Sequence, residues 1–158
     1  MPEYRQRNKE FDEKVVKISR VSKKTKGGNK FGFTALIVVG DKKGRVGVAL
    51  GKANNVLSAI KKGVRLAKKD IITVPLENNT IPHKIVYKFR AARIMLKPAP
   101  AGTGIIAGGA VRAVVEAAGI QNIVSKIMGG NNKITNVYAT YYALQNMKKE
   151  KNEIKWTS

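Results

Sequence analysis

The 158-residue sequence has no cysteine, a single histidine and only 10 acidic residues against 31 lysines and arginines. Without cysteine there are no disulfide staples, no thiolate metal sites and no cysteine nucleophile. One imidazole, His83, excludes histidine metal clusters and leaves any Ser-His pairing resting on a residue with no supporting motif; a surface histidine at a strand start is the simpler reading. The acids are as scattered as they are scarce. Asp12 and Glu13 fall in the leader, Asp41 in a turn and Glu116 four residues after Arg112, so no acid–base pair suited to catalysis emerges. No catalytic, cofactor or metal site is expected. Long hydrophobic runs are also missing: Ala35 to Val39 is far short of the roughly 18 residues of a membrane span, and Arg112 and Glu116 interrupt the Ala/Ile-rich stretch. The first thirteen residues carry four acids and no apolar run, which argues against a secretory signal and an acid-poor transit peptide.

What is present is positive charge on a foldable chain. The formal net charge is +21, and 43% of residues are hydrophobic, enough for a packed core and unlike a disordered basic tail. A charge this one-sided calls for a polyanion. Nucleic acid is favoured, because each neutralised phosphate releases counterions. An anionic membrane would want a basic helix with large exposed apolar side chains or a lipid anchor, and neither is evident. Charge kept only for solubility would be interspersed with more acids.

Residues 1 to 13 and the tail from Lys148 read as polar and mobile. Lys14 to Ser22 predicts a partly buried strand, Lys23 to Lys30 a glycine-containing loop at a projecting hairpin tip, and Phe31 to Val39 an alternating apolar strand. Asp41-Lys42-Lys43-Gly44 is a turn, followed by a third antiparallel strand at Val46 to Leu50. Asn54 or Asn55 caps a helix to about Lys69, whose expected apolar stripe is Val56, Leu57, Ile60, Val64 and Ala67. Ile71 to Val74 reads as a short strand. The loop 77–82 divides the chain, giving a first domain at 14–76 and a second at 83–148. In the second, strands are expected at His83 to Arg90 and Ala92 to Lys97, irregular structure at Pro98 to Gly104, and a helix at Gly109 to Ala118 closed by Gly119. A strand at Ile120 to Met128 and a last helix capped by Asn136 follow, the helix turning Val137, Tyr141, Leu144 and Met147 inward.

Glycine-rich stretches fail as nucleotide sites on spacing. Gly47 to Gly51 has three intervening residues where a Walker A loop has four, and Ala53 offers no hydroxyl. Gly102-Thr-Gly104-Ile-Ile-Ala107 fits the loose dinucleotide pattern, but no acid follows at ribose distance. Its amides at a helix start could still meet an RNA phosphate or a partner surface. Lys14, Lys17, Arg20, Lys23, Lys24, Lys26 and Lys30 form seven bases with no acid among them, which reads as a phosphate-tracking hairpin. Gly27 and Gly28 would let its tip bring backbone amides to a ligand. The bases from Lys61 to Lys69 fit a solvated helix face equally well. Tyr4, Phe11 and Trp156 are candidates for stacking on bases, but they sit in terminal segments.

The order of residues resembles the bacterial ribosomal protein S5 family. The likeness is carried by Arg20-Val-Ser-Lys, Lys26-Gly-Gly, Phe33-Thr-Ala-Leu, Val38-Val-Gly-Asp41, Gly44-Arg-Val-Gly47, Gly51-Lys-Ala53 and Gly102-Thr-Gly-Ile-Ile-Ala-Gly-Gly-Ala110, and runs from about residue 13 to 148. The resemblance implies an α+β fold of two lobes. The first would be similar to a double-stranded RNA-binding domain and the second a ββαβα lobe of the left-handed βαβ type. It implies a non-catalytic constituent of the small ribosomal subunit, cytoplasmic or organellar. Such a protein would bind 16S-type rRNA near the decoding region and lie beside the path by which messenger RNA enters. By the same matching, Lys14, Lys17, Arg20, Ser22, Lys23, Lys24, Lys26, Gly27, Gly28, Asn29, Lys30, Arg45 and Lys52 are expected to bind rRNA, with the tip near the family's spectinomycin site. Arg20 is expected to meet incoming messenger. Gly104 and Arg112 are expected on the surface that contacts the S4-type neighbour (uS4) and influences decoding accuracy, and the second lobe is also expected to meet the S8-type neighbour (uS8). Lys24-Thr25 and a short C-terminal extension depart from the family pattern, so contacts of a longer tail are in doubt. An RNA-processing enzyme using the Gly102 to Gly109 loop as a phosphate cradle, and a free double-stranded RNA binder, are the competing readings.

Overall fold

The computed structural model describes residues 11–147, apart from the side chains of Lys23 and Asn29. The expectations for residues 1–10, for Tyr4 and Trp156 and for the tail from Lys148 fall outside the described residues. The fold is α+β. A first sheet has the order β1 (Asp12–Thr25), β2 (Gly28–Gly40), β3 (Arg45–Ala53) and β4 (Ile72–Thr73), all antiparallel, with α1 (Val56–Lys69) between β3 and β4. A second sheet has the order β5-β6-β8-β7, from β5 (Ile85–Phe89), β6 (Ala92–Pro98), β7 (Ile105–Ile106) and β8 (Ile123–Ile127); α2 (Gly109–Ala118) links the parallel pair β7 and β8, and α3 (Lys133–Gln145) closes the lobe.

The central strand β2 explains how the lobes join. Ala35, Ile37 and Val39 turn to one face and pack with Ala49, Ala59 and Ala67, under α1. Leu36 and Val38 turn to the other and enter a larger core with Val111, Val114, Ile120, Val137 and Leu144 of the second lobe. Both faces of the sheet are therefore covered, which is why five consecutive residues from Ala35 to Val39 are apolar and no more than 1% exposed. Backbone bonds reinforce the join. The amides of Lys42 and Gly44 in the β2–β3 turn donate to the carbonyls of Ala117 and Ala118 at 3.1 and 2.8 Å, satisfying carbonyls that the end of α2 leaves open. From α3, the Tyr141 hydroxyl donates to the Asp70 carbonyl at 2.7 Å.

Several local expectations hold. Asn55 is the cap of α1, its side chain accepting from the Ser58 amide at 2.8 Å. Gly119 ends α2 at φ +89°, with the Ile120 amide donating back to the Val115 carbonyl at 3.1 Å.

Others need correction. In α1, Ala67 is buried and Ile60 and Val64 pack half-buried against the core as expected, but the fully buried stripe is completed by Ala59 and Gly63, and Leu57 is 71% exposed. Small residues win because the helix lies directly on the sheet backbone: a Cβ at Gly51 would collide with the Ala59 carbonyl, and one at Gly47 with the Ala67 carbonyl. The last helix is capped four residues earlier than expected. Asn132 is the cap and accepts from the Ile134 amide at 3.0 Å, while Asn136 is buried inside the helix. Val137, Tyr141, Leu144 and Met147 are inward as expected. β7 is a two-residue strand, too short to show a period, and it follows an irregular segment over 99–104, Pro98 being the last residue of β6. His83 is half-buried, its Nδ1 3.0 Å from the Lys84 carbonyl, rather than on the surface.

Candidate nucleic-acid interface

The β1–β2 pair changes character along its length. β3 ends at Ala53, opposite Phe33, so the strands beyond Arg20↔Phe33 continue as a two-stranded ribbon. The stretch Lys23 to Lys30, read as a loop, is mostly strand. Pairing runs out to Thr25↔Gly28 and leaves only Lys26 and Gly27 as the turn. Polar, basic residues there mimic loop composition because the ribbon has no core on either face. Val21 to Thr25 carries it roughly 17 Å past the end of β3. β1 is also less buried than expected: Val15, Ile18 and Val21 are 40 to 48% exposed.

Arg20, at its root, and Ser22, Lys24, Lys26 and Lys30 are all exposed on this ribbon; Lys17, also exposed, stands before it, opposite Leu36, and Lys52 is exposed beside the root. At the tip, the Thr25 hydroxyl donates to the Gly28 carbonyl at 2.9 Å and Gly28 takes φ +128°, a conformation glycine adopts without strain. Among the described residues, and apart from the adjacent ones in the chain, no atom lies within 4 Å of where a Cβ would stand on Gly27 or Gly28, which leaves the tip backbone open to a close-approaching ligand.

Lys14 and Arg45 sit elsewhere. Ten residues, roughly 33 Å of extended strand, separate Lys14 from Lys24. The Lys14 ammonium is 3.8 Å from Glu116 of α2, across the two lobes. Arg45 is held at the β2–β3 turn, where its Nε donates to Asp41 Oδ2 at 2.7 Å and its guanidinium lies 4.9 Å from the Phe11 ring centroid. Asp41 organises that turn, also accepting from the amides of Lys43 at 2.8 Å and Arg45 at 3.1 Å. Burial pushes its carboxyl up, but the Arg45 hydrogen bond, the two amides and the Arg45 charge outweigh this and hold it below its ordinary value. Glu116 is likewise held low, chiefly by the Arg112 hydrogen bond at 2.8 Å and then, against some burial, by the Lys14 charge. Charge pairs strap the start of β1 to its surroundings, Lys42 to Asp12 at 3.5 Å and Lys68 to Glu13 at 3.4 Å.

Gly104 and Arg112 belong to the second lobe. Arg112 lines a groove of about 860 Å³ with Asp12, Lys14, Lys42, Ile105 and Glu116. Gly104 stands at φ +76°, and among the described residues, apart from its chain neighbours, nothing lies within 4 Å of a Cβ position. Two amides of its loop are already engaged: those of Gly102 and Gly104 both donate to Asn122 Oδ1, at 3.2 and 3.1 Å. The buried Asn122 carboxamide thereby takes these two donors away from any phosphate. Nothing local in the sequence marks Asn122, which lies 18 residues from Gly104. On α1, Lys61, Lys62, Arg65, Lys68 and Lys69 are exposed, leaving the helix as a second basic surface. Among the described residues, no group of three or more His, Cys, Asp or Glu side chains could hold a metal ion, and no helix is long and apolar enough to cross a membrane.

A projecting basic ribbon beside a two-lobed core agrees with what comparison with known sequences finds. A family model described as "Ribosomal protein S5, N-terminal domain" matches residues 11–75, and one described as "Ribosomal protein S5, C-terminal domain" matches residues 87–155. The chain belongs to the ribosomal protein S5 family. It is 53% identical over 138 residues to the small ribosomal subunit protein uS5 of Chloroflexus aurantiacus, covering 87% of this chain and 78% of that protein. It is 55% identical over 136 residues to the uS5 protein of Syntrophobacter fumaroxidans, covering 86% and 82%. A third relative, uS5 of Mycoplasmopsis agalactiae, is 55% identical over 142 residues, with 89% of this chain and 62% of that one covered. The S5 family is a family of structural proteins of the small ribosomal subunit, not of enzymes. Its members work inside the ribosome, among ribosomal RNA and ribosomal proteins.

Proposed function

We propose that this S5-family chain binds small-subunit rRNA with the outer half of its β1–β2 ribbon, and so supports decoding accuracy and the region where messenger RNA enters. The observation that carries the reading is the ribbon and the strand leading into it: Lys17 before the ribbon, then Arg20, Lys24, Lys26 and Lys30, all exposed on paired strands, with no acid between Lys14 and Lys30. A paired ribbon holds those charges at fixed spacing, so RNA that docks on them is held in one geometry, at less ordering cost than a flexible loop would demand. Ser22, Lys23, Gly27, Gly28 and Asn29 complete the tip footprint, and Lys52 adds charge at the root. Lys14 and Arg45 act from the far end, where each also serves an intramolecular pair. Arg20 is the residue for incoming messenger. The 16S-type rRNA is the principal partner. Gly104 and Arg112, beside the groove between the lobes, face the uS4 neighbour, and the second lobe meets uS8. The compartment is the cytoplasm.

Sucrose-gradient sedimentation of a cell lysate tests this. The protein is expected to migrate with small subunits in about equal number, and the variant carrying Lys24→Gln, Lys26→Gln and Lys30→Gln to shift toward the light fractions while remaining folded. A protein found only in light fractions, or a variant that incorporates as well as the parent, would refute the reading.

A further inference from the structure

The root of the ribbon holds an aromatic ring that charge alone does not explain. Phe31 is 48% exposed, although it continues the apolar alternation of Phe33, Ala35 and Ile37. It is paired with Ser22, beyond the last β2–β3 pair, so neither β3 nor α1 covers it. The Arg20 guanidinium lies 4.2 Å from its ring centroid. Phe31 also lines a notch of about 560 Å³, together with Phe33, Lys30, Lys52, Ser22 and Asn54. Arg20 does not line this notch, and none of the lining residues is acidic. The volume falls within the roughly 300–1,000 Å³ of clefts that take small planar ligands. Because β3 stops at Ala53, the outer edge of β2 at residues 30–32 has no strand partner there.

The geometry points to a stacking subsite for one unpaired RNA base: the base lies on the Phe31 ring inside the notch, while Lys30 and Lys52 take the phosphates on either side of it. An aromatic ring bordered by lysines fits a nucleotide by complementarity. The ring accepts the flat face of any base, and the ammonium groups accept the backbone charge. Arg20 backs the ring from outside the notch and is a positioning residue. Selectivity between bases is not part of this site, since stacking tolerates every base. The inference rests on the rRNA-binding reading above and adds to it a contact that is independent of salt.

The test uses the full chain and two single-stranded RNA hexamers with the same number of phosphates, hexa-adenylate and an abasic counterpart, with small-subunit rRNA as a third probe. The protein is expected to prefer hexa-adenylate over the abasic hexamer. Phe31→Ala should weaken hexa-adenylate binding by roughly 5- to 150-fold, leave abasic binding and the salt dependence unchanged, and leave the melting temperature within a few degrees. Phe31→Trp should keep the preference. Lys30→Gln with Lys52→Gln should weaken both hexamers alike. Equal affinity of the parent protein for the two hexamers overturns the subsite and leaves Phe31 as a contact for a protein neighbour. A preference that survives Phe31→Ala overturns it as well. In both cases, rRNA binding that still depends on the tip lysines leaves the proposed function standing. Failure of the parent protein to bind rRNA at all removes both.

Discussion

Strand β2 is buried on both faces at one end and on neither at the other. From Ala35 to Val39, β2 is shut between α1 and the second lobe. From Ser22 to Phe31 the paired strands stand in solvent. Hydrogen-bond pairing is continuous throughout, apart from an irregularity between Val15 and Lys17. What differs is the side chains: branched apolar residues where two layers close over the sheet, and Lys, Arg, Ser and Gly where none does. The comparison separates two tasks within one hairpin, since the inner end contributes stability and the outer end contributes charge. A two-stranded ribbon is marginal on its own in water, so the outer end depends on the inner end for its shape.

The largest break should come from the inner end. Leu36→Ala removes a side chain that is 1% exposed in the core shared by both lobes and should cost about 2–5 kcal/mol in urea unfolding. Gly119→Ala comes next. Its φ of +89° disfavours any other residue by about 1–2 kcal/mol, and a Cβ there would collide with the Lys42 carbonyl, so the helix end must also retreat from the β2–β3 turn. Tyr141→Phe removes the hydrogen bond to the Asp70 carbonyl and should cost about 0.5–1.5 kcal/mol, read from the shift of the unfolding midpoint. Acid should loosen the join more gently. Asp41 and Glu116 both have folded-state values below their ordinary ones of 3.8 and 4.5. The stability they contribute is fully present above those ordinary values and is lost as pH falls through the depressed ones. A melting temperature that declines below about pH 4, with a smaller decline in Glu116→Gln, would show it. The smallest effect on stability should come from the ribbon, where Lys24→Gln, Lys26→Gln and Lys30→Gln together should stay within roughly 0.5 kcal/mol.

The difference between the two ends also governed how much could be read from sequence. Where residues pack locally, pattern and chemistry agree: the Asn55 cap, the Gly119 stop, the turn at Asp41 and the inward stripe of α3 are all legible. Phe31 is apolar and in phase with Phe33, but its exposure depends on where β3 ends, a nonlocal fact. The second cover over Leu36 and Val38 is nonlocal too, since periodicity shows that a face is apolar and not what lies on it. Leu57 misled the reading of α1 for a related reason. The close contact of Gly51 and Gly47 with helix backbone makes small residues the buried ones. Of the binding residues expected from the family likeness, the ribbon bases cluster in space, whereas Lys14 and Arg45 lie at its far end in pairs with Glu116 and Asp41.

The most direct test of the central claim, that the outer ribbon carries rRNA affinity without carrying stability, is the salt dependence of binding. Log affinity for small-subunit rRNA is measured against log salt for the parent chain and for the variant with Lys23, Lys24, Lys26 and Lys30 all changed to Gln. The account predicts a slope shallower by roughly 3, from about 0.7–0.9 per lost phosphate contact, with an unchanged unfolding midpoint. An identical slope in the two proteins would contradict it.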